Sequence, residues 1–346
     1  MGKLIAKAGR PVLTIFITLL LGALMIASAG ENPLSVYGVL FAGAFGSQYA
    51  LLNTLAKATP LIFTGLAAAI ADLAGVFNIG IEGQLYFGAL AAAVTGVYLG
   101  DLPVFILIPL CLIAAMLASV IWALIPGYLN YKLKINIFIM FFMMNNMAAL
   151  ITEFLANGPF KGELPEATTA KVSQNARLFR FSPFSDLNLG FIIAIIMVIV
   201  LWFVLKKTRT GYEWSAIGKN RTFSEYIGIH AGKKALFVLM ISAMLSGLAG
   251  AEQSIGQLGR FYANFSNDLG FTGISIGLLA SNNPIGVLIF AVFFGALNNG
   301  SISMAANTGV PSDLIKVLQS LMILMVSADF VLRTVKRGRA KKKEAA

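Results

Sequence analysis

Apolar residues run along this chain in long unbroken blocks, without the alternation of a half-buried strand or the one-sided stripe of a soluble helix. The stretch "FIIAIIMVIVLWFVL" at 191–205 holds no polar side chain, and several other blocks reach the roughly 17–25 residues that cross a bilayer. Block by block, the pattern predicts about ten helical spans, near 11–29, 51–71, 84–100, 103–125, 135–156, 189–205, 235–255, 269–281, 285–300 and 312–331. The last opens after Pro311-Ser312-Asp313, a proline and a capping residue at a helix start. The first follows Lys3, Lys7 and Arg10 and ends in Ala27-Ser28-Ala29, the form of a signal-peptidase site. Its length and the even span count favour a retained membrane helix. The expected architecture is one all-α polytopic membrane domain over 1–346.

Composition agrees. Of 346 residues, 58% are hydrophobic and 12% charged, against roughly 25% charged in a soluble domain. Mean hydropathy is +0.82. The net charge of +11 would be compatible with nucleic-acid binding if it were clustered on one surface. Instead most Lys and Arg fall in alternate connections: Lys3, Lys7 and Arg10, then Lys132 and Lys134, then the segment 206–234, then a basic tail over 332–346. Excess Lys and Arg mark the cytoplasmic side of a membrane protein, so the charge sets topology, with both termini in the cytoplasm and no nucleic-acid partner. Cys111 and His230 are the only cysteine and histidine. With no Cys cluster, no His pair and no phosphate-binding glycine loop, the chain is expected to hold no metal or cofactor, no catalytic residue and no ATP-hydrolysing site of its own.

The polar residues at membrane depth carry the chemistry. The stretch "GVFNIGIEGQ" at 75–84 places Asn78, Glu82 and Gln84 among Gly75, Gly80 and Gly83. A mid-helix carboxylate costs roughly 2.5–3.5 kcal/mol on insertion scales, so such residues face a bundle interior or a water-filled cavity. The glycines weaken the helix and free backbone groups that only a cavity or neighbouring protein satisfies at that depth. Glu252 and Gln253, the pair Asn145 and Asn146, and the pair Asn298 and Asn299 extend the set. Amides offer donors and acceptors without charge, which suits an uncharged ligand rich in hydroxyls and ring nitrogens. Aromatics such as Phe77 and Tyr86 would hold it weakly enough for release. For each single amide, a hydrogen bond between helices is the competing role. The small-residue runs "GALAAA" at 88–93 and "SGLAGA" at 246–251 are read as close helix packing.

Residues 73–84, "LAGVFNIGIEGQ", and 248–259, "LAGAEQSIGQLG", also look alike. The spans leading into them run in opposite directions in this topology, the mark of an inverted repeat with a pathway at its interface. Two connections are long. Residues 157–188 fall on the outer face, as a linker or as a docking surface for an external partner, and 256–268 lies on the same face. The cytoplasmic segment 206–234 contains a short helix that Asn220 caps, with Phe223, Tyr226, Ile227 and Ile229 on one side and Gly228 at its end. Its modest length, and Glu213 and Glu225 among the basic residues, favour docking into a protein groove over lipid.

Three stretches resemble a known family. "FNIGIEGQ" followed by "GALAAA", the loop "AIGKNRTFSEYIGI", and "GFTGISIGLLASNNPIGVLIFAVFFGAL" at 270–297 are similar to the membrane subunits of bacterial ABC importers for simple sugars and nucleosides. That superfamily includes ribose and branched-chain amino acid permeases. The form Asn-Ile-Gly-Ile-Glu-Gly-Gln resembles the nucleoside-type branch, and the likeness runs from about 55 to 330. One departure is Ala280-Ser281, where the family pattern has a basic residue before Asn282-Asn283-Pro284. The resemblance implies a type II importer permease of ten helices in the bacterial cell membrane, paired with a second homologous permease. It implies a cytoplasmic ABC ATPase and an external substrate-binding lipoprotein as further partners. It also implies that 219–229 is the coupling helix, with Gly218, Asn220, Glu225, Gly228 and Ile229 matching its motif. The expected function is nucleoside uptake; a permease for a simple sugar such as ribose is the nearer alternative. An ion-coupled secondary transporter using Glu82 or Glu252 is the alternative from another class.

Overall fold

A computed structural model describes residues 16–321 and Leu324. Lys3, Lys7, Arg10, the start of the first expected span, the end of the last and the tail 332–346 lie outside the described residues. The chain divides into two compact units, Leu55–Gly295 and Met1–Thr54 with Ala296–Ala346.

In the smaller unit, α1 (Phe16–Ser28) and α2 (Pro33–Phe45) meet at a 118° bend. Asn32 opens α2 by accepting the Leu34 N–H, and Pro33 occupies the first turn, where its missing N–H costs nothing. Hydropathy alone reads 30–50 as a connection, because a 13-residue helix is shorter than any span-length window. The first residues of α3 (Gln48–Leu73), the end of α12 (Pro284–Asn307) and α13 (313–321) complete the unit.

The larger unit is built around α4 (Ile81–Tyr98), with α5 (Val104–Leu133), α6 (Ile137–Asn157) and α10 (Ala231–Ala251) packed on it. It also contains the rest of α3 and α12, α7 (Gly190–Lys207), α8 (Arg209–Lys219), α9 (Arg221–Tyr226) and α11 (Leu269–Leu279). The small-residue runs explain the closeness of α4 and α10: a Cβ on Gly88 would lie 2.6 Å from the Gly247 Cα. Outward, α5 presents Ile113, Leu117, Ile121 and Ile125, four residues apart and exposed. Its opposite face buries Cys111, Ala115, Ser119 and Ala123. Apolar side chains facing outward and small ones facing inward make the pattern of a helix solvated by lipid.

Among the described residues, six helices are long and apolar enough to cross a membrane, or seven if the bent α1–α2 pair is one span. Of the other expected spans, 84–100 and 269–281 fall on shorter or less apolar elements, and 312–331 lies partly outside the described residues. α11 has only 11 residues, and α4 has 18 residues, among them Glu82, Gln84 and Thr95. No strand forms among the described residues, only isolated bridges between 161 and 262.

Candidate functional site

The stretch 75–84 is a true break between α3 and α4. Gly75 has φ +71°, a left-handed turn that glycine takes without strain. The break is closed by its own amides. Asn78 Nδ2 donates to Gln84 Oε1 at 2.9 Å, and Gln84 Nε2 returns a bond to Asn78 Oδ1 at 3.1 Å. Asn78 also donates to Ser242 Oγ on α10 and accepts the Gly80 N–H. From α6, Asn145 accepts the Gly83 N–H at 2.9 Å and donates to the Ile79 carbonyl at 3.0 Å. Hydroxyls of Ser119 and Ser246 donate to the Gln84 and Ile81 carbonyls. The Gly80 and Gly83 N–H groups and the Ile79 carbonyl, left without helical partners by the break, thus find side-chain partners, as they must in a dry interior.

Glu82 is buried in the first turn of α4 and reaches the start of another helix. Its Oε2 accepts the Gly270 N–H at 2.7 Å, and Ser266 contributes a side-chain hydrogen bond. A carboxylate at the first turn of α11 complements the positive end of that helix.

Glu252 is held differently. α10 does not break where the repeat would place a break, but continues as a π-helix over Glu252–Leu258. Wider π turns occur often at functional positions. Here the Glu252 carboxylate collects three amide donors: Asn188 at 2.8 Å, Gln253 at 3.0 Å and Gln257 at 3.0 Å. Gln257 also donates to the Ala56 carbonyl at 3.0 Å. Pro60, four residues on, has no N–H to give Ala56, so Gln257 fills the acceptor that a proline inside α3 leaves open.

Of the other expected pathway residues, Phe77 is half-buried and stacks on Phe138 with ring centroids 5.5 Å apart. Asn146 is exposed on α6 beside Phe142, Met143, Met147 and Leu150. Asn298 and Asn299 belong to the smaller unit. There Asn298 accepts from Gln319, and Asn299 donates to the Gly43 and Ala50 carbonyls and to Thr54. Asn188, Gln257, Ser119, Ser242, Ser246 and Ser266 were not singled out by the sequence. Pro60 was the one available signal, since a proline within a span announces an orphan carbonyl.

In the segment 206–234, Asn220 caps α9 by accepting the Phe223 N–H at 3.0 Å, and Gly228 ends the turn with φ +83°. Phe223 and Ile227 are exposed, and Tyr226 is 86% exposed. Glu213 on α8 pairs with Lys234 on α10 at 2.8 Å and with Arg209 at 3.0 Å. The Lys234 hydrogen bond, more than offsetting burial, holds its carboxyl below the usual range, with Arg209 adding to the effect. Gly218 sits against the end of α3. A Cβ there would run into the Leu73 carbonyl oxygen, and a Cβ on Gly75 would lie 3.2 Å from the Gly218 Cα. The loop that carries α9 therefore rests directly on the break at 75–84.

The segments 157–188 and 256–268 join each other. Thr169 N–H bonds the Phe261 carbonyl, Val172 that of Gly259, and Ala263 that of Ala167. Phe179, Phe181 and Phe184 are exposed on this surface. Arg177 is held below the usual guanidinium range, first by burial and then by Arg180 and Arg260.

A helical bundle with outward-facing apolar ridges, a break between α3 and α4 and a small capped helix after α8 has the pattern of a polytopic membrane protein. The chain belongs to the family described as branched-chain amino acid transport system / permease component, whose model matches residues 50–327. It is 34% identical over 342 residues to the guanosine ABC transporter permease protein NupP of Bacillus subtilis (strain 168), covering 97% of each chain. It is 33% identical over 339 residues to the glucose ABC transporter permease protein TsgB13 of Haloferax volcanii, covering 94% of this chain and 88% of that one. To the nucleoside ABC transporter permease protein NupB of Lactococcus lactis subsp. cremoris it is 32% identical over 335 residues, covering 94% and 92%.

Proposed function

We propose that this chain is the membrane-spanning permease subunit of an ATP-driven importer of nucleosides, with hydrolysis on a separate ATPase. Two relatives that match nearly the whole chain are guanosine and nucleoside permeases, and that likeness carries the substrate class. The contact of Gly218 with the end of α3 supports the mechanism. α9 offers Phe223, Tyr226 and Ile227 to a groove on the ATPase. Movement of α8 and α9 then reaches the 75–84 break through backbone contact, without an intervening flexible side chain. This role extends the expected coupling set, Gly218, Asn220, Glu225, Gly228 and Ile229.

The proposal keeps the ten-span count, with both termini in the cytoplasm of a bacterial cell membrane, and the inverted repeat of 73–84 with 248–259. It divides the pathway residues by their bonding. Asn78, Glu82, Gln84, Asn145, Glu252 and Gln253 shape the wall, because their polar groups already hold backbone or each other. Phe77 and Asn146 face the passing substrate because they are the less buried members of the set, although Asn146 Nδ2 also donates to the Phe142 carbonyl at 3.1 Å. The exposed Met- and Phe-lined side of α6 fits the seam with a second, homologous permease, where an amide meets nucleoside. The joined outer segments receive the substrate-binding lipoprotein, and the cations around Arg177 suit carboxylates on it.

A sugar permease is the second reading, favoured by the glucose permease among the relatives. Family membership replaces the ion-coupled transporter that Glu82 or Glu252 had allowed. Membrane vesicles carrying the complete complex separate the remaining two. ATP-dependent accumulation of labelled guanosine or uridine is expected; uptake of glucose or ribose without nucleoside uptake overturns the nucleoside assignment.

A further inference from the structure

Beside α9 lies a cavity of about 400 Å³ between the end of α5 and the start of α10, lined by Tyr131, Lys134, Arg221, His230, Gly232 and Lys233 among others. Its charge is one-sided. Three cations, Lys134, Arg221 and Lys233, meet one acid in the lining, Glu225, which pairs with Arg221 at 3.8 Å, while Lys134 Nζ donates to the Tyr131 carbonyl at 3.2 Å and Lys233 has no acid in the lining beside it. The arrangement runs against helix electrostatics. Cations are ordinarily kept from a helix N-terminus, where the backbone is already positive. Yet α10 begins here with His230 making no side-chain cap, and a Cβ on Gly232 would lie 3.4 Å from Arg221 Nη2. Lys233 is the third residue of the same helix. Such crowding of positive charge around a cavity is relieved by an anion.

The surroundings identify where that anion comes from. The cavity sits at the end of the 30-residue apolar helix α5. There Lys134 Nζ lies 5.8 Å from the Tyr131 ring centroid and Lys132 Nζ 5.7 Å from that of Tyr128. Tyrosines and lysines together at a helix end occupy the headgroup level of a bilayer. Exposed Tyr128, Leu133 and Ile135 beside them are apolar enough to face acyl chains. Basic pockets between membrane helices on the cytoplasmic side take anionic headgroups.

We propose that this cavity binds the phosphate of an anionic phospholipid headgroup, with Lys134, Arg221 and Lys233 as its cationic contacts and the first turn of α10 supplying N–H groups. The site rests on the membrane-spanning, cytoplasm-facing placement of 206–234 given above. Bound lipid would brace the root of α9 against α5 and α10.

The test uses the full chain in nanodiscs of phosphatidylcholine, with phosphatidylglycerol added in one arm and millimolar inorganic phosphate in another. Phosphatidylglycerol should raise the unfolding midpoint by a few degrees, and inorganic phosphate should not. The double variant Lys134→Gln/Lys233→Gln should lose most of that shift, and Lys134→Arg/Lys233→Arg should keep it. An equal phosphatidylglycerol shift in wild type and the Gln variant overturns the site. A full shift from inorganic phosphate alone overturns the lipid as its source. Nucleoside uptake by the complete wild-type complex, measured in parallel, reports on the transport reading independently of either result.

Discussion

Two buried carboxylates with glutamine neighbours sit in glycine-rich stretches of the same unit, and the structure treats them in opposite ways. At 75–84 the helix is interrupted, and the amides of Asn78 and Asn145 satisfy the exposed backbone while Gln84 holds Asn78 in place. Glu82 is then free to reach the first turn of α11. At 252–258 the helix stays continuous but widens into a π-helix, and the amides gather on the carboxylate instead. In the first region amides serve the backbone; in the second they serve Glu252. Similar composition gives two different mechanical elements: a joint on which Gly218 of the 206–234 segment rests, and a strut that repairs the proline gap in α3.

This contrast is open to attack by substitution. The largest effect belongs to Asn78→Leu, which strips partners from Gln84, Gly80 and Ser242 together. Buried groups left unsatisfied cost about 1–3 kcal/mol each, so this variant should lose most of its stability in detergent, read as a collapse of the thermal unfolding midpoint. Glu252→Gln comes next. Its new NH₂ group meets the donors of Asn188, Gln253 and Gln257, and a loss of about 1–3 kcal/mol is expected. Glu82→Gln should cost less than about 1 kcal/mol, because an amide oxygen still accepts the Gly270 N–H and the Ser266 hydroxyl turns to accept. If the two glutamine variants unfold at the same midpoint, the proposed difference between joint and strut is wrong.

The smallest effect is a pH dependence at Glu213. Its folded pKa lies below the ordinary value, so its pairs with Lys234 and Arg209 add stability above the ordinary carboxylate range. That contribution disappears as pH falls through the depressed pKa. Lys234 and Arg209 are 40% and 91% exposed, so screening holds it to about 1 kcal/mol or less. Unfolding midpoints of wild type and Glu213→Gln should converge in acid and separate near neutrality.

Much of this was legible in the sequence, for identifiable reasons. Apolar blocks locate α3 to α7, α10 and α12 because lipid demands continuous apolar length. The glycines and amides of 75–84 point to a broken helix, since few other reasons place them at that depth. The Asn220 cap and Gly228 delimit α9. Other features depend on helix rotation and distant pairing. Ser242 meets Asn78 across 164 residues, and a serine in a run of small residues reads as packing alone. Nothing in "AEQSIGQLG" distinguishes a π-helix from a break; the deciding partners, Asn188 and the Ala56 carbonyl, lie in other segments. The helix α2 escaped because it is too short for a span window.

The central claim is that coupling reaches the 75–84 joint through the glycine contact between α8 and the end of α3. Gly218→Ala puts a methyl group against the Leu73 carbonyl and leaves the exposed face of α9 unchanged. In vesicles carrying the complete transporter, labelled guanosine uptake and ATP hydrolysis are measured together. The account predicts a variant that assembles and hydrolyses ATP but accumulates nucleoside at a small fraction of the wild-type rate; wild-type uptake by Gly218→Ala would contradict it.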